Sequence, residues 1–455
     1  MNGRMEVAQM MGAEAVQGPW SSTISDVEAM AEAARCLFCE DPPCVRACPT
    51  GIDIPLFIRK IASGNRVGAA KTIFDANPLG SSCARVCPTD ELCEGACVWG
   101  KSSRPVEIGR LQQYATDAVL ERGVALYDPP SQPIPYRFAI IGAGPAGLAA
   151  ARELALAGAQ VTVYEREQSP GGLNTYGIPP FRLSEGVAVA EAEMILSLGV
   201  RFERGVDVGM HVRPEQLVDS CDGVLLACGL GAGKRLGIEG EELDGVMDAI
   251  TFLRMAKEGR ARAGREVVVI GAGNTAMDAA TTARRLGAER VTIVYRRSEK
   301  EMTAYRFEYA FAKSEGVQFR WKLMPVRFVG EGAVQEVRCR QTELDPSGAW
   351  RLAEREERLS ADQVIVAIGQ ARRWDLLDAF QVPHRDGAVT VDEQGRTRRP
   401  KVYAAGDCVW SGKGAEATVV VAVEQGKRAA LAMLKDARSR RVEHGLATEG
   451  SAWPT

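Results

Sequence analysis

Eight cysteines packed into residues 36–97 constrain this chain more than any other feature. They form two runs, Cys36, Cys39, Cys44 and Cys48, then Cys83, Cys87, Cys93 and Cys97, and Pro49 and Pro88 directly follow Cys48 and Cys87. An iron–sulfur cube needs thiolates converging from several directions, and C-x2-C-x4-C-x3-C-P supplies them from one short, turn-rich segment. The bacterial ferredoxin run is C-x2-C-x2-C-x3-C-P, so the middle gap is longer here. Two runs imply two [4Fe-4S] clusters, and crossed ligation is expected because the last cysteine of a ferredoxin run serves the other cube. Eight thiols for two cubes is the simple count. Structural zinc, which needs one or two groups of four ligands and no Cys-Pro signature, and unligated thiols remain the alternatives. A disulfide scaffold fits poorly, because this 455-residue chain has twelve Cys and three His, and residues 1–20, with Glu6 and Glu14, do not read as an export signal.

The composition, 46% hydrophobic and 25% charged, suits a globular protein with a large core, and the length predicts about two to four domains. A formal charge of −3 and a pI near 5.9 give no electrostatic reason to expect a nucleic-acid partner. No apolar run reaches the ~18 residues of a membrane span. No membrane partner is therefore expected, and the cytoplasm, where thiols stay reduced, is the expected compartment.

Around the cysteines the chain predicts helices. Ser25 and Asp26 cap an Ala-rich run that leads to Cys36. Asp53 opens a second helix closed by Gly64, and residues 66–76 make a third, stopped by Asn77-Pro78. Cys83 and Cys87, and likewise Cys93 and Cys97, are four apart and share a face if their segments are helical. Residues 106–120, VEIGRLQQYATDAVL, predict an amphipathic helix whose Gln112 and Gln113 read, on composition alone, as surface. Residues 1–130 are thus expected to form a helical domain around two clusters. The proline-rich stretch 127–136 reads as a semi-rigid linker.

A dinucleotide fold follows at once. The apolar FAII enters Gly142-Ala-Gly144-Pro145-Ala146-Gly147, then an Ala/Leu-rich helix and the strand VTVYE ending at Glu165. Gly142 makes the tight turn, Gly144 admits the pyrophosphate, Gly147 lets helix and strand pack, and Glu165 suits an adenosine ribose. The pattern returns at Gly271-Ala-Gly273-Asn274-Thr275-Ala276, where Arg296 and Arg297 stand in place of the acid. A carboxylate there would repel a 2′-phosphate, whereas guanidinium groups bind one bidentately, so NADPH is expected over NADH.

Residues 222–229 look like a strand leaving the first dinucleotide domain, and 362–369 like the strand returning to it. A later strand ends at Gly406-Asp407, a polar group suited to the flavin's ribityl chain, and the helix after it would aim its N-terminus at the flavin. In this order the segments specify an α/β architecture: an N-terminal helical iron–sulfur domain, then two Rossmann-like domains, an FAD domain with an NADPH domain inserted. The expected bounds are 1–130, 131–255 and 365–455 for FAD, and 256–364 for NADPH. Cys221, Cys228, Cys339 and Cys408 form no C-x-x-C pair, so thioredoxin-reductase-like disulfide chemistry is unsupported and Cys408 reads as structural. His211, His384 and His444 are too dispersed for a triad or a metal site.

These motifs together resemble one family over nearly the whole chain. CLFCEDPPCVRACPTGIDIP, SSCARVCPTDELCEGAC, VEIGRLQQYATD, AIIGAGPAGLAAA, PGGLNTYGIPPFRL, VVVIGAGNTAMDAA and VYAAGDCV are similar to the electron-input module of dihydropyrimidine dehydrogenase, and also to the glutamate synthase small subunit. The resemblance implies one cube on Cys36, Cys39, Cys44 and Cys97, and the other on Cys48, Cys87, Cys93 and Gln113, leaving Cys83 spare. It further implies flavin contacts at Gly142 to Gly147, Glu165, Arg166, Gly172, Leu173, Arg182, Gly406 and Asp407. For the nicotinamide cofactor it implies Gly271, Gly273, Asn274, Thr275, Arg296, Arg297 and the turn Ala367-Ile368-Gly369. Asn274 stands where relatives often have Asp, and the segment after Gly412 is longer than in the family.

The implied activity is pyrimidine catabolism: NADPH-dependent reduction of FAD, then electron transfer to a partner subunit bearing FMN and iron–sulfur that reduces uracil or thymine. No acid or base for that step is expected in this chain. Alternatives are the glutamate synthase small subunit, a ferredoxin:NADP oxidoreductase of an electron-bifurcating complex, and a non-catalytic redox-sensing or scaffold subunit. Gln113 favours the dehydrogenase branch, since the glutamate synthase subunit has an acidic residue there.

Overall fold

Side chains that close the ends of helices set the N-terminal region. In the computed structural model, which describes residues 24–385, 387–410 and 417–443, Ser25 and Glu28 form a reciprocal capping box on the helix Asp26–Ala33. Asp53 Oδ1 accepts from Leu56 N at 3.0 Å to start Ile54–Ala62, and Asn65 Oδ1 accepts from Gly68 N at 2.9 Å to start Arg66–Ala76. Gly64 and Gly123, at φ 77 and 57, end their helices in the left-handed region that glycine adopts without strain. Cys83 lies on the helix Gly80–Val86, with Cys87 at its C-cap. The Cys93–Cys97 segment is not helical. Glu94 N and Gly95 N both turn back to Thr89 O, and a side chain on Gly95 would meet Asp90 O at 2.0 Å. The helix Ile108–Arg122 buries Gln112 and Gln113, against the expectation that they lie on the surface.

Two compact units emerge, the first from the described residues of Met1–Thr175, Phe181–Gly229 and Arg373–Thr455, the second from Tyr176–Pro180 and Leu230–Arg372. In the first, β1 (Arg137–Ile141), β2 (Gln160–Glu165), β3 (Arg201–Arg204), β4 (Gly223–Leu226) and β15 (Val402–Ala404) form a parallel sheet in the order β15-β4-β1-β2-β3. The near-continuous apolar character of β1 and β4 follows from burial on both faces. Burying a side chain such as Phe138 contributes about 1.5–3 kcal/mol relative to leaving it exposed. The long helix Val419–Glu443 lies close against Pro145–Leu156, and a Cβ on Gly426 would sit 2.1 Å from Ala146 O. The proline-rich stretch is anchored to this unit, with Ile134 N donating to Gly158 O at 2.9 Å.

The second unit holds β5 (Val246–Asp248), β6 (Glu266–Ile270), β7 (Arg290–Tyr295), β8 (Gln318–Trp321) and β12 (Gln363–Val366) in a parallel sheet of order β5-β12-β6-β7-β8. β9 (Leu323–Val329), β10 (Glu336–Leu344) and β11 (Trp350–Ser360) add an antiparallel sheet. β13 (His384–Arg385) and β14 (Ala388–Val389) form a small ribbon in the first unit. The segment 362–369 does not return to the first sheet. β12 pairs in register with β6 and β5, and the chain rejoins the first sheet only at β15, beside β4. β5 also precedes residue 256, so the second unit starts upstream of that point. No helix among the described residues is long and apolar enough to cross a membrane.

Candidate redox centre

The first cysteine site is assembled by contacts between the ends of the two runs. Trp99 Nε1 donates to Arg35 O at 2.6 Å, and Glu32 accepts from Arg104 at 2.8 Å and from Glu107 N at 2.9 Å. These bonds hold Cys97 beside Cys36, Cys39 and Cys44. All four line one cavity, whose other walls include Ile54, Ile58 and Trp99. Burial pushes the Cys36 thiol up and the Cys44 thiol up to about 11, with nearby thiols adding to the effect. Ligation is what would favour their thiolates. Phe38, between Cys36 and Cys39, has φ 50; such a non-glycine conformation costs roughly 1–3 kcal/mol. The Arg59 guanidinium covers its ring at 4.8 Å. Among the described residues no three His, Cys, Asp or Glu converge tightly enough for a single ion. Four thiols spread around carbon-lined walls instead suit a polynuclear centre.

A second group forms deeper in the same domain. Cys87 has Cys83, Cys93 and Cys48 as electrostatic neighbours, and Cys93 has Cys48 and Cys44. A hydrogen bond with Cys83 and burial push the Cys87 thiol well up, and burial does the same to Cys93. Gly109 N donates to Glu94 Oε1 at 2.8 Å, tying the start of the glutamine helix to the Cys93 turn. Gln112 Nε2 donates to Gly80 O at 2.7 Å, tying the same helix to Gly80–Val86. The next residue, Gln113, is 3% exposed, and its side-chain amide has no hydrogen-bond partner among the described residues. Cys83 is buried against Cys87.

The helix bearing Cys83 starts without a cap of its own, since Leu79 offers no side-chain acceptor. Glu191, from the helix Glu185–Leu196, takes that place. Its carboxylate accepts from Ser81 N at 2.5 Å, from Ser82 N at 2.9 Å and from Ser82 Oγ. Two of the orphan donors of the first turn are thereby satisfied by a residue of the flavin-type fold. Full burial pushes Glu191 up to about 7, against the lowering effect of the serine hydrogen bonds and Arg85.

The first glycine turn has the geometry its sequence requires. Gly142 has φ 106, and a Cβ there would meet Ala227 O at 2.4 Å; one on Gly147 would meet Gly142 O at 2.0 Å. Gly144 starts the helix Pro145–Leu156, and Ala146 follows within its first turn. A Cβ on Gly172 would lie 2.9 Å from Gly144 Cα, and one on Gly406 would lie 3.1 Å from Ala146 Cβ. The structure thus brings Gly172 and Gly406 to the turn from distant parts of the chain. Glu165 is buried and accepts from Ala143 N at 2.7 Å and Glu167 N at 2.9 Å; burial pushes its carboxyl up. Leu173 opens a short helix, Leu173–Tyr176. Arg182 is buried, whereas Arg166 is exposed beside Glu167. Gly406 N donates to Gln425 Oε1 at 2.8 Å, and Asp407 opens a 3-10 turn. Residues 1–20, His444 and the segment after Gly412 lie outside the described residues.

In the second unit Gly271 has φ 132, and a Cβ there would meet Ala367 O at 2.2 Å. The 367–369 turn therefore abuts the second glycine turn, with Gly369 at φ 100 and Ile368 packed on the adjoining core. Asn274 and Thr275 open the helix Asn274–Arg285, and Asn274 Oδ1 accepts from Tyr305 N at 2.9 Å. Arg296 and Arg297, just past β7, line a cavity of about 310 Å³. Among the described residues neither guanidinium forms an ion pair within 4 Å, although the Arg297 charge helps to lower the Glu301 carboxyl.

Sequence reading missed several contributors. Glu191 and the hairpin residues that share the arginine cavity are distant in the chain, and no local pattern marks them. Cys228 and Cys408, separate in sequence, meet as thiol hydrogen-bond partners. Cys408 is buried, with its Sγ 3.3 Å from both Leu226 O and Ala405 O. His211 Nδ1 accepts from Asp207 N, and His384 lies 3.3 Å from Asp378, so the described histidines make local contacts.

Comparison with known proteins bears on this arrangement. The profile of the pyridine nucleotide-disulphide oxidoreductase family matches residues 136–426, and that of dihydropyrimidine dehydrogenase domain II, 4Fe-4S cluster, matches residues 17–124. The NAD-dependent dihydropyrimidine dehydrogenase subunit PreT of Escherichia coli K12 is 39% identical, over 89% of this chain and 93% of that protein. The glutamate synthase [NADPH] small chain of the same strain is 35% identical, over 89% and 91%. Mycobacterium tuberculosis FprA, solved in complex with NADPH, shares the fold with a TM-score of 0.56 at 21% identity, covering 70% of this chain and 88% of that one. A 4Fe-4S domain joined to FAD- and NAD(P)-type Rossmann domains is therefore shown, and the chain belongs to the pyridine nucleotide-disulphide oxidoreductase family, in the group that includes PreT and the glutamate synthase small chain.

Proposed function

We propose that this chain is the electron-input subunit of a dihydropyrimidine dehydrogenase-type complex. It takes hydride from NADPH onto FAD and passes single electrons through two [4Fe-4S] clusters to an FMN- and iron–sulfur-bearing partner subunit, which reduces uracil or thymine to the 5,6-dihydropyrimidine. The observation that carries this branch is Gln113, buried in the helix that Glu94 and Gly80 tie to the second cysteine run. FAD, when bound, supplies the step from a two-electron donor to one-electron carriers.

The chain's own residues hold and orient. Cys36, Cys39, Cys44 and Cys97 surround one cube; Cys48, Cys87, Cys93 and Gln113 surround the other. Gly142, Gly144, Pro145, Ala146 and Gly147 carry the flavin pyrophosphate on a helix N-terminus, Glu165 takes its ribose, and Arg166, Gly172, Leu173, Arg182, Gly406 and Asp407 complete its cradle. Gly271, Gly273, Asn274, Thr275 and Ala367, Ile368, Gly369 hold the nicotinamide cofactor. Such a site works by proximity and orientation, without an acid or base of its own. Gly147→Val forces a side chain into Gly142 O, so purified protein is expected to lose most of its flavin absorbance per chain; full flavin content would contradict the cradle.

Of the two relatives one is named for NAD and the other for NADPH, so the choice rests on Arg296 and Arg297. Replacing both by Ala is expected to raise the KM for NADPH by about 100-fold, from the loss of two charge-assisted contacts, and to leave that for NADH little changed. Faster turnover of wild-type protein with NADH, or an unchanged NADPH constant in the variant, would overturn the assignment. Purification from the native host tests the partner: a pyrimidine-reducing FMN subunit supports the proposal, and a large glutamine amidotransferase subunit replaces it with the glutamate synthase reading.

A further inference from the structure

The cavity that contains Arg296 and Arg297 is walled on its other side by the hairpin of β10 and β11, through Thr342, Trp350, Arg351 and Leu352. Two bonds fasten this hairpin to the segment after β7. Thr342 Oγ1 donates to Arg296 O at 2.5 Å, and Trp350 Nε1 donates to Glu301 Oε1 at 2.8 Å. Glu301 is itself fixed by Ser298, whose N and Oγ donate to its other oxygen at 3.2 and 2.9 Å. Glu301, which feels the Arg297 charge, is thus hydrogen-bonded by serine and tryptophan and forms no ion pair with either arginine. Arg296 and Arg297 keep their charge open to the cavity, and Arg351 adds a third guanidinium. Asp345 pairs with Arg351 and also accepts from Ser347 N at 2.9 Å and Ala349 N at 3.0 Å, so one carboxylate both shapes the turn and orients the arginine.

A cavity of about 310 Å³ lies at the lower end of the range for ligand sites, about 300–1,000 Å³. It has room for one end of a dinucleotide. We propose that the hairpin is the outer wall of the 2′-phosphate subsite, with Arg351 as a third phosphate contact and Trp350 as the apolar plate against the adenosine. The geometry makes cofactor choice depend on a hairpin separated by about fifty residues from the arginine pair (sequence positions 297 and 350). This inference rests on the reading above that Arg296 and Arg297 receive the 2′-phosphate. The competing reading is that Arg351 only closes the Asp345 turn and Trp350 only pins the hairpin.

The two separate by titrating the full-chain protein with 2′,5′-ADP and with 5′-AMP in a calorimeter. Arg351→Ala is expected to weaken 2′,5′-ADP by about tenfold, the value of one lost charge-assisted contact, with 5′-AMP unchanged within twofold. Arg351→Lys should recover part of the loss. 2′,5′-ADP should also quench tryptophan emission, and Trp350→Phe should abolish that quench. Equal weakening of both ligands, or no weakening of either, overturns the hairpin's role. If wild-type protein binds 5′-AMP as tightly as 2′,5′-ADP, the arginine-pair reading itself fails. If wild-type strongly prefers 2′,5′-ADP, loses that preference in Arg297→Ala and keeps it in Arg351→Ala, only the hairpin inference fails.

Discussion

Gln113→Ala should lower the iron content of the purified chain from about eight atoms toward about four, one cube's worth, while Cys83→Ala should leave it near the wild-type value. Gln113 is 3% exposed, and its side-chain amide bonds to no other protein group among the described residues. A glutamine so nearly buried whose amide bonds to no other protein group is free to face a ligand held by the same domain. Gln112, its neighbour on the same helix, shows the ordinary solution by donating to Gly80 O. Gln113 has no such bond, and two bonds of neighbouring residues tie its helix to the second cysteine run. A cube iron would give its amide oxygen a partner. Cys83 already has one in the Cys87 thiol. Iron retained in Gln113→Ala and lost in Cys83→Ala would restore the all-cysteine set.

Glu191→Ala is expected to destabilise the chain by about 2–6 kcal/mol, the sum for stranding two buried N–H donors at about 1–3 kcal/mol each. The donors are Ser81 N and Ser82 N, in the first turn of a helix whose own Leu79 cannot cap it. Chemical denaturation of the full chain, followed by flavin and cluster absorbance, measures the effect; a midpoint within error of wild type would show that water replaces the cap without loss. The same residue gives a pH signature. Its folded-state value is raised from 4.5 to about 7, so between those limits the unfolded chain gives up this proton before the folded chain does. Its contribution is therefore fullest below about pH 4.5 and declines as pH rises toward 7. Glu191→Gln should remove that part of the slope.

The helix starts at Ser25 and Asp53 were legible because their signals are local: each caps where its side chain reaches the first turn. Both glycine turns were legible for the same reason, since a Cβ at Gly147 or Gly271 has no room in any dinucleotide fold of this kind. β12 was misplaced because DGVLLACG and DQVIVAIG are alike as apolar runs, and the sheet a buried strand joins depends on partners outside it. Gln113 reads as surface from its own type, and its burial follows from Glu94 and Gly80, contacts that no helical periodicity encodes. Glu191 and Trp350 were invisible because each acts on an element far away in sequence.

Electron flow from NADPH through a flavin into two cubes of one chain can be followed by anaerobic titration of the purified protein with NADPH under combined optical and electron paramagnetic resonance monitoring. Bleaching of the flavin bands is expected together with signals from two interacting reduced clusters, about one electron each. Flavin bleaching with no cluster signal, or the signal of a single cluster, would contradict it.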